Sequence, residues 1–272
     1  FQNVLENIDI VIYGIGLPEQ FAASDDYFKR VNYDILNAFL GALEKSNVRR
    51  MVYISTSEVF KVIDGVIKED HPLSEPEGFS DYFKSKILAY GLATDFAKRT
   101  GLELTIIHPG AVYGGINTSY GVTNFIENLL NFRVWNVPFI MKTSFPVVHT
   151  KSLAKAIISS FDHIGDFIIS EQMTSLEEIA STLSNYADAY VPIVMPKSIA
   201  SGGIEFMDSA AHLFKFKPIM SSSQLKLMTH GAEPKADHAM KVLDWHPISL
   251  DEGIQQYLVD RVALDKQVHT ND

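Results

Sequence analysis

The chain of 272 residues contains no cysteine. That excludes disulfide bonds, thiolate nucleophiles and cysteine zinc sites. No apolar run approaches the ~18 residues that a membrane-spanning helix needs, and nothing resembles a secretory leader. Positive charge is scarce: 23 Lys and Arg stand against 33 Asp and Glu, a net charge of -10. That balance argues against nucleic-acid and membrane partners. The nine histidines are scattered, without His-Glu-x-x-His or clustered spacing, so no metal site is expected. A glycine-rich G-x-x-G-x-x-G phosphate loop is missing too. Gly14 and Gly16 follow a strand-like run, but no third glycine arrives at the right spacing and Pro18 comes next.

What remains is the composition of a globular protein long enough for a large core and two lobes, with 46% hydrophobic and 21% charged residues. Strand and helix alternate. Residues 8–13 and 51–56 read as strands joined by a helix over roughly 24–45, with Ser24 as its cap. The stripe Phe28, Val31, Ile35, Leu36, Phe39, Leu40 and Leu43 has the helical period, with Asn32 at its edge. A polar loop over 61–80 precedes a helix from Tyr82 to about Lys98, closed by Gly101. Further on come a strand over 103–108, a helix near 151–161, a strand near 166–170 and a helix over about 175–186 capped by Thr174. Residues 187–235 read as irregular. The aromatics Phe125, Phe132, Trp135 and Phe139 read as buried packing, with a substrate wall as the second choice. Asn117-Thr118-Ser119 matches a glycosylation acceptor and reads as a plain loop.

The chemistry concentrates in Tyr82-Phe83-Lys84-Ser85-Lys86 and, one crossover earlier, Tyr53-Ile54-Ser55-Thr56-Ser57. On a helix, positions i and i+4 share a face, so Tyr82 and Lys86 project together. A free phenol, with a pKa near ~10, is a poor base at neutral pH. A cation about 4 Å away stabilises the phenolate by roughly 4 kcal/mol at an effective dielectric near ~20. That is enough to bring Tyr82 towards the range where a general acid/base works best. The run Arg50 to Ser55 reads as a buried parallel strand ending in hydroxyls, the end at which open α/β sheets bind ligands. Thr56, Tyr82 and Lys86 are therefore the candidate catalytic set.

These stretches resemble the extended short-chain dehydrogenase/reductases, the group of sugar-nucleotide epimerases and dehydratases, hydroxysteroid dehydrogenases and dihydroflavonol-type reductases. Asn7 to Tyr13 resembles the family's fourth strand, and Gly14-Ile15-Gly16 its small-residue turn. Arg30-Val31-Asn32 resembles its V-N segment, and Tyr53 to Phe60 its hydroxyl-rich fifth strand. Ile107-His108-Pro109-Gly110 with Val112-Tyr113-Gly114 resembles R-P-G…V-Y-G, with His108 in place of the usual Arg. Leu243 to Pro247 and Leu250 to Ile254 resemble the closing L-G-W-x-P…L-x-E-G-I.

The resemblance implies an α/β doubly wound parallel sheet of Rossmann type, with a smaller C-terminal substrate lobe. Because the family's phosphate loop is absent, the chain is expected to lack the first strands, roughly 60 residues by the size of two β-α units. The nucleotide domain would span 1–113, with 147–170 returning to it, and 114–272 would mainly form the substrate lobe. The resemblance also implies NAD or NADP as cofactor. Gly14, Ile15, Gly16, Asn32, Ser55, Tyr82, Lys86, Pro109 and Val112 would bind it, with Gly14 and Gly16 near the adenosine side, Lys86 on the nicotinamide ribose, and Pro109 and Val112 at the nicotinamide end. The activity would be oxidoreduction, epimerisation or dehydration at a secondary alcohol or ketone of a small-molecule substrate. A nucleotide-binding sensor or scaffold is the alternative. A cytoplasmic location and a homodimer fit the same picture.

Overall fold

The computed structural model describes residues 4–18, 25–75, 80–115, 121–141, 144–195 and 231–269. Ser24, the triplet 117–119 and most of the stretch 187–235 lie outside these residues. The elements run β1 (Ile10–Tyr13), α1 (Asp25–Lys29), a π-helical turn (Arg30–Asp34), α2 (Ile35–Leu43), β2 (Arg50–Ile54), β3 (Val66–Ile67), α3 (Asp81–Thr100) and β4 (Glu103–Pro109). Then follow β5 (Ala111–Tyr113), α4 (Gly121–Leu130), β6 (Phe139–Met141), β7 (Phe145–His149), α5 (Thr150–Ser159), β8 (Gly165–Ile169), β9 (Gln172–Thr174) and α6 (Leu176–Ser184). The last are β10 (Ile193–Met195), β11 (Glu233–Pro234), α7 (Asp237–Val242) and α8 (Leu250–His269).

Two compact units emerge. The first comprises Phe1–Gly110, Ala154–Ile169 and Ala232–Trp245; the second comprises Ala111–Leu153, Ser170–Gly231 and His246–Asp272. The expected boundary at 113 therefore sits at 110. Residues 147–153 remain with the second unit, and 232–245 join the first. Residues 232–245 have a local reason to do so: β11 pairs with β3, inside the segment read as loop, and α7 packs on β8.

The first unit is built on a wholly parallel sheet of order β1-β2-β4-β8. Its strands are apolar on both faces, as parallel strands must be when both sides are covered. Tyr13, Met51, Tyr53, Leu104 and Ile106 face one cluster, against Leu36, Phe39, Leu40 and Leu43 of α2 and Ala89, Ala93 and Phe96 of α3. Val52 and Ile107, on the other face, are equally inaccessible. β1 is the edge strand among the described residues, and its Ile12 is half exposed. α3 ends as its sequence predicts. Gly101 adopts the left-handed conformation, with φ of 77°, and its N–H closes on the Ala97 carbonyl.

In the second unit β5, β7 and β9 form a mixed sheet, and β6 pairs with β10. Its core joins Tyr113, Ile126, Leu129, Val147, Ile179, Leu183, Ile254 and Tyr257. Two expectations are corrected here. Ser175, not Thr174, caps α6, accepting the Glu178 N–H, while Thr174 bonds the Glu178 side chain. Of the four aromatics read as packing, only Phe125 is buried; Phe132, Trp135 and Phe139 are exposed, Trp135 by 92%. Phe139 opens β6, whose neighbour Ile140 turns inward to the core and to α6 while Phe139 faces outward.

Candidate active site

The site forms where β2 leaves the sheet. Ser55 N–H still bonds the Ile107 carbonyl at 2.8 Å, after which the chain turns through a short 3-10 segment, Ser57–Val59. Ser55, Thr56 and Ser57 are all buried, and the hydroxyls of Ser55 and Ser57 find no partner among the described residues. The Thr56 hydroxyl donates to the Glu58 carboxylate. Burial pushes the Glu58 carboxyl up from the usual range, against that hydrogen bond and the nearby His108. Glu58 therefore sits at the strand end as a group that can hold or release a proton.

α3 brings the other two candidates. Tyr82 lies in its first turn, half buried, with its ring edge-on to Phe28 and Phe83 at 6.0 and 4.9 Å. Lys86 is one turn on and only 6% exposed. Its ammonium donates to the Ile54 carbonyl at 3.2 Å and lies over the Tyr53 ring, 5.3 Å from the centroid. Burial pushes it down to about 8, with the Glu58 charge pulling the other way. Lys86 thus carries its charge at pH 7, yet far less securely than an exposed lysine.

Asn32 holds the opposite wall. The π-helical turn delivers its side chain to the 14–18 loop, where it accepts the Leu17 N–H at 2.6 Å and reaches the Leu17 carbonyl at 3.3 Å. The same amide donates to Ser85 at 2.9 Å, and Ser85 donates to the Tyr82 carbonyl at 2.6 Å. A Cβ added to Gly16 would lie 3.5 Å from Asn32 Oδ1 and 3.9 Å from Lys86 Nζ, so this loop approaches the cation through bare backbone. Gly14, Ile15 and Gly16 are exposed there.

The structure thus brings Gly16, Asn32, Ser55, Thr56, Tyr82 and Lys86 into the first unit at one end of its sheet. Pro109 ends β4 in the same unit. Val112 stands on β5 in the second unit, 40% exposed. Sequence reading missed Glu58, whose signal was a carboxylate two residues beyond Thr56. It also missed the fixed environment of His108. That ring is fully buried, with Nδ1 2.9 Å from the Thr56 carbonyl and Nε2 2.8 Å from the Asp166 carboxylate. No group of His, Asp and Glu among the described residues is placed to hold a metal ion. No helix among them is long and apolar enough to cross a membrane.

Open parallel α/β sheets bind nucleotides and other ligands at the carboxyl ends of their strands, where these hydroxyls lie. The model of the NAD dependent epimerase/dehydratase family matches residues 1–165, and the chain belongs to that family. No curated protein matches it. Among solved structures, gox2253 superposes with a TM-score of 0.77 at 16% identity, covering 95% of this chain and 80% of that one. MoeE5 in complex with UDP-glucose and NAD gives 0.73 at 19% identity, covering 96% and 82%. UDP-glucuronic acid 4-epimerase from Bacillus cereus, with UDP-glucuronic acid and NAD, gives 0.71 at 16%, covering 94% and 76%. At these identities the likeness is one of fold.

The residues present fit such a cofactor. The strand end offers two unpartnered hydroxyls, the 14–18 loop offers exposed glycine backbone, and a buried cation stands between them.

Proposed function

We propose that the protein interconverts a nucleotide-linked sugar at a secondary alcohol or ketone, by proton transfer at Tyr82 and hydride exchange with NAD or NADP. The observation that carries this reading is the buried Lys86 ammonium, on the same helical face as Tyr82 and beside both Gly16 and the Thr56 strand end. Burying a cation is costly unless the site uses it. Here its field makes the phenol a better proton carrier, and its N–H groups face the loop where a ribose would lie. The bound nicotinamide supplies a hydride acceptor and donor.

The Thr56 hydroxyl, released from Glu58, donates to the reacting oxygen, and Tyr82 takes or returns the substrate proton. Glu58 stands within reach of that hydroxyl as a second proton-carrying group. Such a group is what an elimination or an inversion next to the carbonyl requires, so it favours epimerase or dehydratase chemistry over simple oxidoreduction. The UDP-sugars bound by MoeE5 and the Bacillus cereus epimerase point to the same substrate class.

Turnover of UDP-glucose and UDP-glucuronic acid with NAD tests the reading. Tyr82→Phe lowers kcat at least about 10²-fold with NAD affinity nearly unchanged, the scale of general acid/base catalysis. Near-normal turnover in that variant would exclude Tyr82 as the proton carrier. Nucleotide binding without turnover of any UDP-sugar would favour a sensor.

A further inference from the structure

Two backbone carbonyls at the end of β2 accept from side chains, that of Thr56 also from the Val59 N–H at 3.5 Å. Ile54 is held by Lys86; Thr56 is held by His108. A carbonyl only accepts, so His108 Nδ1 carries a proton. Nε2 faces the Asp166 Oδ1 at 2.8 Å, and the other Asp166 oxygen accepts the Tyr90 hydroxyl at 3.3 Å. One further proton therefore lies between ring and carboxyl. Whether it sits on Nε2 or on Asp166, Nδ1–H stays on Thr56.

We infer that His108 and Asp166 are a proton-sharing positioning pair that clamps the Thr56 carbonyl and so sets the strand end presenting the Thr56 hydroxyl and Glu58. The inference rests on the proposed role of Thr56 in holding the reacting oxygen. The ring is fully buried, while the Asp166 side chain stays 26% exposed. Phe60 and Tyr90 stack round the ring at 4.8 and 5.8 Å, and Glu58 faces it from the turn after β2. From α7, His238 donates to the Asp166 backbone carbonyl at 3.2 Å.

Two amide substitutions separate the roles of the ring nitrogens. Asparagine reaches the Nδ1 position and keeps a donor for Thr56; glutamine reaches the Nε2 position and keeps one for Asp166. With UDP-glucose and UDP-glucuronic acid as probes, His108→Gln lowers kcat about 10²-fold at nearly constant KM, the effect of a small misplacement, whereas His108→Asn stays within about threefold. Asp166→Asn keeps kcat at neutral pH, because its amide donates to Nε2 and leaves Nδ1–H in place. The 13C shift of the Thr56 carbonyl reads the clamp without any substrate: it moves in His108→Gln and holds in His108→Asn and Asp166→Asn. Ring 15N shifts showing Nδ1 unprotonated at neutral pH, or equal carbonyl shifts in the two amide variants, would overturn the pair. If no UDP-sugar turns over, the proposed function fails while the carbonyl and ring shifts still decide the clamp. If His108→Gln does not fold, Asp166→Asn and the ring shifts decide it.

Discussion

Each unit buries a histidine completely at the end of a parallel strand, and the two are solved in opposite ways. His108 in the first unit has an oxygen acceptor at both ring nitrogens. His149, ending β7 in the second unit, accepts the Lys151 N–H at Nδ1 at 3.2 Å, and its Nε2 has no partner among the described residues. The Tyr113 hydroxyl and Glu171 Oε1 nearby are in the same position. The surroundings differ as well. The unpartnered Ser55 and Ser57 hydroxyls of the first unit follow a strand end, in the same unit as the exposed 14–16 backbone. Those of the second are closed in by glycine, Gly114 against His149 and Gly253 against Tyr113. Unsatisfied polar atoms therefore stand in two settings in this chain: past a strand end in one unit, and in tight packing in the other.

The harshest way to break the comparison is to crowd the closed side. Gly114 has φ of 90°, and an added Cβ would overlap the His149 ring. Gly114→Ala should therefore lose about 4 kcal/mol, combining a left-handed conformation with overpacking. Denaturant unfolding measures it; a loss below about 1 kcal/mol would mean the ring moves aside freely.

The next change acts on the open side. A folded-state pKa depressed from 10.5 to about 8 means that charging Lys86 opposes folding. Its contribution is fully present above pH 10.5 and is lost as pH falls through about 8. That depression corresponds to about 3 kcal/mol, and allowing for the orphaned Ile54 carbonyl, Lys86→Met gains about 2 kcal/mol at pH 7. The gain shrinks towards pH 10. Stability at the two pH values checks it, and a loss at pH 7 would mean that the cation is well paired.

The smallest effect falls on His149. Asparagine keeps an acceptor for Lys151 and exchanges the orphaned ring nitrogen for an amide nitrogen, so His149→Asn should change stability at pH 7 by only about 1 kcal/mol. Burial lowers the His149 pKa from 6.5. Its contribution to stability is present above pH 6.5 and falls away as acid charges the ring. The variant should therefore have a flatter acid limb in thermal unfolding; an unchanged limb would show that His149 does not govern it.

Sequence alone made the first unit's frame legible, because its signals are local. Apolar runs gave β2 and β4, the i, i+4 pair gave the Tyr82–Lys86 face, and Gly101 gave the end of α3. What it missed depends on contacts far along the chain. His108 is fixed by Asp166, 58 residues on. Asn32 is a candidate from sequence, but its anchorage by Leu17 and Ser85 is not legible there. Glu58 looked like any acid after a strand until burial raised its pKa. The exposed Phe132, Trp135 and Phe139 failed for the converse reason. Apolar character states what a residue can bury but not which way it will face.

The π-helical turn at Arg30–Asp34 adds one residue to a helical circuit. Sequence length is here converted into rotation: one residue more or fewer turns everything upstream by about 100° about the axis. Deleting a single position such as Val31 would restore an unbroken α-helix while swinging Phe28 off the edge of the Tyr82 ring and Asn32 off the 14–18 loop. The segment is thus indexed like a gear. It tolerates a change of side chain far better than a change of count, and an alignment gap placed inside it would separate the wall of the site from its floor.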